Sequence, residues 1–244
     1  IDALREAIAI EPRNEWTDDA WYELGQAHQR QQDFVQALAS FKDFVAAYPA
    51  GTSQYHDTAT ESIKQITQLE TTINTSQNFA EASYLRLDIH YKNTDNATLR
   101  VSRVEIDKFV QTLGTRGEQN FSVQDQDFPE VPGTVVHEET LKTINDKDYK
   151  PQQLQVYVEP QPAGIYQVTL HSKGNGESRQ VRRIVLVSRL AAAMKLVDNK
   201  VLSFVTDADS GRVVEGAELT IFQYKRKWRS HPAVLTQLET TSNA

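Results

Sequence analysis

The sequence predicts a multidomain α plus β fold, with helical hairpins first and antiparallel β-sandwich domains after. Three observations predict it. Residues 18–49 space their large and small side chains at helical intervals, residues 85–90 switch to strict apolar and polar alternation, and residues 200–222 set two apolar strand candidates around a polar turn. At 244 residues there is room for about two domains, since ordinary ones hold roughly 100 to 200 residues.

The helical part comes first. Trp21, Leu24, Gly25 and His28 are followed by Ala37, Phe41 and Pro49, which is the tetratricopeptide pattern with its tyrosine replaced by His28. Trp21 and Leu24 on one helix are spaced to pack against Ala37 and Phe41 on the next, and Gly25 lets the two backbones approach. Thr17 is expected to cap the first helix, Asp18 and Asp19 suit its positive end, and Gln32-Asp33 makes the turn. Upstream, residues 7–12 match the close of an earlier repeat, so the chain is expected to start inside that repeat. Residues 54–73 carry Ala59, Ile63, Ile66 and Leu69 at three-to-four spacing and are expected to form a capping helix. The helical region is thus drawn over 1–76. So few units should lean on further repeats or dock on their neighbour.

The first sandwich is drawn over 77–188. Leu85, Leu87 and Ile89 alternate with Arg86, Asp88 and His90, a half-buried strand. Residues 93–96 make a polar turn into a strand over 99–106, and 107–113 suit one or two helical turns. Residues 114–150 are polar, with Pro129, Pro132 and Gly133, and are expected to be a long mobile loop with room for one strand. Strands return at Leu154, Val156 and Val158, then at Tyr166, Val168 and Leu170. A tight turn at 173–176 leads to a further strand over 181–187. Residues 188–198 are expected to be a link, and 189–244 an incomplete second sandwich that opens on the 200–222 hairpin, with 240–244 approaching another strand.

Composition excludes several functions. The net charge of −7 and mean hydropathy of −0.54 argue against a nucleic-acid-binding surface and against a spanning segment. The basic run 225–229 is the local exception and is expected to be a solvated strand end. Without cysteine there is no disulfide, thiolate nucleophile or cysteine-bound zinc. The six histidines lack metal-ligand spacing, Asp207-Ala208-Asp209 lacks the remainder of a calcium loop, and no nucleophile elbow is present. No metal, no cofactor and no catalytic residue are therefore expected. The absence of a leader before Ile1 suits a processed product or a piece of a longer protein.

Leu99, Arg100, Val101, Arg103 and Val104, then Pro162, Gly164, Tyr166 and Val168, then the Phe204-Val205-Thr206-Asp207 strand end with residues 210–222 behind it, occur in one order. In that order they resemble the first and part of the second macroglobulin-like domain of the bacterial alpha-2-macroglobulin family, over residues 80–244. The resemblance implies an extracytoplasmic protein, periplasmic, envelope-bound or secreted, built of serial β-sandwiches. It implies a non-catalytic scaffold in protease capture or in envelope protein assembly, with other protein chains, proteases or the rest of its own chain as partners. The family's bait segment and cysteine thioester have no counterpart in these residues. The alternative is a tetratricopeptide adaptor in a multiprotein envelope complex. For either role the expected contact residues are Asp19, Tyr22, Gln26 and Gln29, whose spacing sets them on one side of the first helix.

Overall fold

A computed structural model describes residues 1–10, 16–115, 126, 128–197, 200–225 and 234–241. Four helices lead: α1 (Asp2–Ile10), α2 (Thr17–Arg30), α3 (Phe34–Ala47) and α4 (His56–Thr67). Ala37, Phe41 and Phe44 of α3 are fully buried, with Trp21 and Tyr22 of α2 and Ala59 and Ile66 of α4 packed into the same cluster. A Cβ on Gly25 would sit 2.5 Å from the Phe41 ring, so only glycine permits this helix approach. Gln32 takes the turn at φ 58°. Asp33 then caps α3, its carboxylate accepting from Gln36 N at 3.1 Å.

Two local expectations change. Thr17 is not the cap of α2 but its first residue, because Trp16 before it already has helical backbone angles. Asp18 does more at this end than suit the dipole, since its carboxylate accepts from Asp19 N at 2.9 Å and from Ser53 Oγ at 2.7 Å. The expected helix to Ile73 stops at Thr67, and a strand, β1 (Glu70–Thr75), begins three residues later. Helix therefore gives way to strand ahead of the expected boundary at 77. The β-branched run Thr71-Thr72-Ile73 suits a pleat better than a helix, and Thr71 and Ile73 bury alternate positions.

The strands that follow are β2 (Asn78–Phe79), β3 (Leu85–Lys92), β4 (Asn96–Val104), β5 (Gly133–Leu141), β6 (Gln152–Val158), β7 (Gly164–Gly174) and β8 (Glu177–Val187), with α5 (Ile106–Thr115) after β4. They build a three-stranded sheet, β1-β3-β6, and a five-stranded sheet, β2-β8-β7-β4-β5. All pairs are antiparallel except the short β2 with β8. One apolar layer lies between the sheets: Leu85, Leu87 and Ile89 from the first meet Leu99, Val101, Tyr166, Val168 and Leu170 from the second. The two-residue turn between β7 and β8 places Asn175 at φ 51° and Gly176 at φ 79°, the left-handed pair that an Asn-Gly hairpin requires.

Of the expected loop over 114–150, residues 116–125 and 127 lie outside the described residues, and 128–150 hold the one strand allowed for, β5, together with buried side chains ahead of it. β5 pairs along its whole length with β4, and Phe128 and Val131 are buried against Val104 and Ile184. β5 sits at a sheet edge with only Leu141 buried, so its outward residues look like loop composition. Beyond it, Asp95 draws in the chain: Lys147 Nζ (2.8 Å) and Asn145 Nδ2 (2.7 Å) donate to its carboxylate, and Thr143 Oγ1 (3.0 Å) to its carbonyl.

The last strands are β9 (Leu190–Val197), β10 (Lys200–Asp207), β11 (Glu218–Lys225) and β12 (Val234–Thr241). The expected link at 188–198 is largely β9, and it pairs with β10. The expected hairpin between 200–207 and 219–222 does not form as drawn, because β11 pairs with β12. A bridge from Thr206 to Val213, flanked by bonds from Asp207 N to the Arg212 carbonyl at 2.8 Å and from Val214 N to the Val205 carbonyl at 3.0 Å, carries the turn forward. Asp207 closes that turn by accepting from Ser210 N and Oγ at 2.8 and 2.7 Å, with Gly211 at φ 68°. Thr240 and Thr241 end β12, and residues 226–229 and 242–244 lie outside the described residues.

Candidate partner-binding surface

α2 carries all four expected contact residues, but they divide into two groups. Tyr22 stacks on Tyr55 with ring centroids 4.6 Å apart and planes 7° from parallel, and it leans on Phe41 and Phe44. Gln26 Nε2 donates to the Tyr22 hydroxyl at 3.1 Å. The Tyr55 phenol is pushed above its ordinary pKa, first by its hydrogen bond to the Asp19 carboxylate and then by burial. Asp19, Tyr22 and Gln26 thus belong to one aromatic pile that Tyr55, from the segment ahead of α4, closes. Helical spacing finds the shared side of α2; it holds no sign of Tyr55.

Gln29, one turn farther along, faces elsewhere. Its Oε1 is buried with no hydrogen-bond partner, and it lines a cleft of about 410 Å³ between the helices and the sheets. Phe34, Glu61, Ile66, Lys92 and Tyr149 share that lining.

The cleft floor is a polar weld. Lys92, at the end of β3, donates to the Gln65 carbonyl and to the Glu70 carboxylate, each at 2.6 Å, and Gln68 Nε2 reaches the same carboxylate at 2.7 Å. Asn93 Nδ2 takes the Ile66 and Gln68 carbonyls at 2.8 and 2.9 Å, and Asn175 Nδ2 takes the Thr67 carbonyl at 2.8 Å. Leu69 N in turn donates to Glu177 at 3.2 Å. The last carbonyls of a helix have no partner within it; here two turns of the β region supply them. Burial pushes the Glu70 carboxyl upward, but the bonds from Lys92 and Gln68 outweigh that and hold its pKa below the usual glutamate value. Asn93 adopts φ 57° to make both of its bonds, and a Cβ on Gly174 would fall 1.8 Å from the Asn93 carbonyl.

Sequence reading places Asn93 and Asn175 in turns and says nothing of a helix end. Their partners lie 25 to 108 positions away in the chain, beyond the reach of any local pattern. A smaller cleft of about 260 Å³ lies between β1 and β8, where Arg183 Nε donates to the Ile73 carbonyl at 2.9 Å. Among the described residues no three metal-ligating side chains come together, and no helix is long and apolar enough to cross a membrane.

No family profile and no curated protein matches the chain. Solved structures similar in shape include a fragment of native alpha-2-macroglobulin from Escherichia coli spanning domains MG0-NIE-MG1, at 12% identity and a TM-score of 0.49, covering 72% of this chain and 58% of that one. A shorter fragment of the same protein, spanning NIE-MG1, aligns at 13% identity and 0.48, covering 73% and 84%. Red sea bream transglutaminase aligns at 11% identity and 0.35, covering 81% and 30%. The chain spans little more than half of the longer alpha-2-macroglobulin fragment.

Proposed function

We propose that the chain is a non-catalytic scaffold unit of an exported, alpha-2-macroglobulin-like protein, in which tetratricopeptide-type helices stand rigidly on a macroglobulin-like β-sandwich. One observation carries this reading. The carbonyls of Gln65, Ile66, Thr67 and Gln68 at the end of α4 each accept a hydrogen bond from a side chain of the β region. A flexible tether between two independent modules has no need of such a joint, whereas a spacer that must hold its parts at a fixed angle does. The order of residues 99–104, 162–168 and 204–222 supports the macroglobulin-like part, and the Trp21, Gly25 and Phe41 packing supports the repeat. The adaptor alternative has less support at the expected face, because Asp19, Tyr22 and Gln26 are engaged with one another and with Tyr55.

In this reading the chain contributes to protease capture or envelope assembly by positioning other parts, and it works outside the cytoplasm. It should neither turn over substrates nor inhibit a protease by itself. Incubation of the purified chain with trypsin-like and elastase-like proteases tests this, with large and small chromogenic substrates as readout. Unchanged protease activity on both is expected. Selective loss of activity on the large substrate would make the chain an inhibitor in its own right and overturn the scaffold reading.

A further inference from the structure

The hairpin tip that completes the joint also carries a labile bond. Asn175 and Gly176 are both exposed at the turn between β7 and β8, and no other asparagine in the sequence is followed by glycine. Asparagine is a thermolabile residue, because the peptide nitrogen that follows it can attack its side-chain amide carbon. A side chain on the following residue hinders that approach. Gly176 has none, and the space that a Cβ there would fill has no atom within 4 Å. The ladder between β7 and β8 ends at Gly174 and Glu177, so Gly176 N lies outside it.

The joint restrains the attack. Asn175 Nδ2 donates to the Thr67 carbonyl at 2.8 Å, and closing a ring onto Gly176 N turns the side chain away from Thr67 and back onto its own backbone. Reaction therefore waits on opening of that contact. The products, in turn, cannot remake it. An aspartate at 175 has no amide donor for the Thr67 carbonyl, and it adds negative charge to a turn that already engages Asp95 and Glu177. An isoaspartate adds a methylene to the main chain directly after Gly174, whose contact with the Asn93 carbonyl leaves no room even for a Cβ. Asn93 holds the Ile66 and Gln68 carbonyls, so damage at this turn spreads along the end of α4.

We propose that Asn175-Gly176 is a self-modifying site through which openings of the joint become permanent. Gly176 N bonds to Asn175 Cγ, the Cγ–Nδ2 bond breaks, and ammonia leaves with the proton from Gly176 N. Water then opens the succinimide ring at either of its carbonyls, giving aspartate or isoaspartate. Nothing is oxidised or reduced, and water is the sole co-reactant. The site rests on the rigid joint of the scaffold reading and adds to it a limit on how long that joint lasts.

The test is timed incubation of the full 244-residue chain in warm, mildly alkaline buffer, followed by tryptic peptide mapping. Cleavage after Lys173 and Arg179 releases residues 174–179, in which the acid forms differ from the parent by mass and from each other by retention. Asn175 is expected to convert ahead of Asn78 and Asn96, which are also exposed but precede Phe79 and Ala97. Lys92→Met combined with Asn93→Ala should speed conversion about tenfold, since local opening follows the free energy of the contacts that resist it. The aged parent and fresh Asn175→Asp should melt below the fresh parent, whereas Asn175→Gln, which would have to close a larger ring, should age without change. No conversion at Asn175, conversion no faster than at Asn78 and Asn96, a rate indifferent to the two joint substitutions, or an aged chain that melts like the fresh one would each overturn the proposal and leave the scaffold reading standing. A broad distance distribution between spin labels on Asp43→Cys and Glu159→Cys in the fresh chain would instead overturn both.

Discussion

Gly25 shows how much a single atom decides in the helical part. In an exposed helix, alanine is favoured over glycine by about 1 kcal/mol, so propensity alone would welcome Gly25→Ala. The added Cβ, however, would lie 2.5 to 2.8 Å from three atoms of the Phe41 ring, and Phe41 is fully buried between neighbours that cannot yield freely. Overpacking of this kind costs about 1–3 kcal/mol, which outweighs the propensity gain. Chemical denaturation of Gly25→Ala should show a net loss of stability; a gain would mean that the helices can part at no cost. The sequence displays this contact openly, because Trp21, Leu24, Gly25, Ala37 and Phe41 stand at spacings that only two packed helices explain. Tyr22 is different. Its place on the side of α2 is legible, but its stacking on Tyr55 joins residues 33 positions apart across an intervening helix, and no periodicity records that.

At the level of elements, the junction of α4 and β1 is where sequence and structure part company for a definable reason. Ala59, Ile63, Ile66 and Leu69 keep helical spacing up to and past the point where the helix ends, so period alone runs on. The stop comes from Lys92, Asn93 and Asn175, which occupy the helix's last carbonyls from distant turns. Lys92→Met removes the donor and leaves both the Gln65 carbonyl and the Glu70 carboxylate without it, a loss of about 1–3 kcal/mol, read by thermal or urea unfolding.

The pH dependence follows from Glu70. Its folded-state pKa is depressed, so its contribution is complete above the ordinary glutamate value of about 4.3 and fades as pH falls through the lower folded value. Acid should therefore weaken the parent joint more than that of Lys92→Met, and equal acid sensitivity of the two would contradict the assignment. The strands show the converse limit. Alternation locates β3, β6 and β7, and apolar composition locates β10, yet neither names a partner, and β10 pairs with the alanine-rich β9 instead of β11. β5, allowed for as one strand within 114–150, is not placed by the sequence because an edge strand with one buried residue has no apolar rhythm to read.

Across the whole molecule, these contacts make a helical unit and a two-sheet unit into one body with a cleft at the seam. Two packed modules joined by a plain linker would sample many angles. A joint that satisfies four successive carbonyls and places Lys92 against Glu70 should allow one. The lack of native cysteine makes this directly measurable, since two exposed positions, Asp43 on α3 and Glu159 just past β6, can be changed to cysteine and spin-labelled without side reactions. Pulsed electron–electron resonance between Asp43→Cys and Glu159→Cys should give a single narrow distance distribution that broadens when Lys92→Met and Asn93→Ala are added. A broad distribution in the otherwise unaltered chain, or one that both substitutions leave unchanged, would contradict the rigid joint on which the scaffold reading stands.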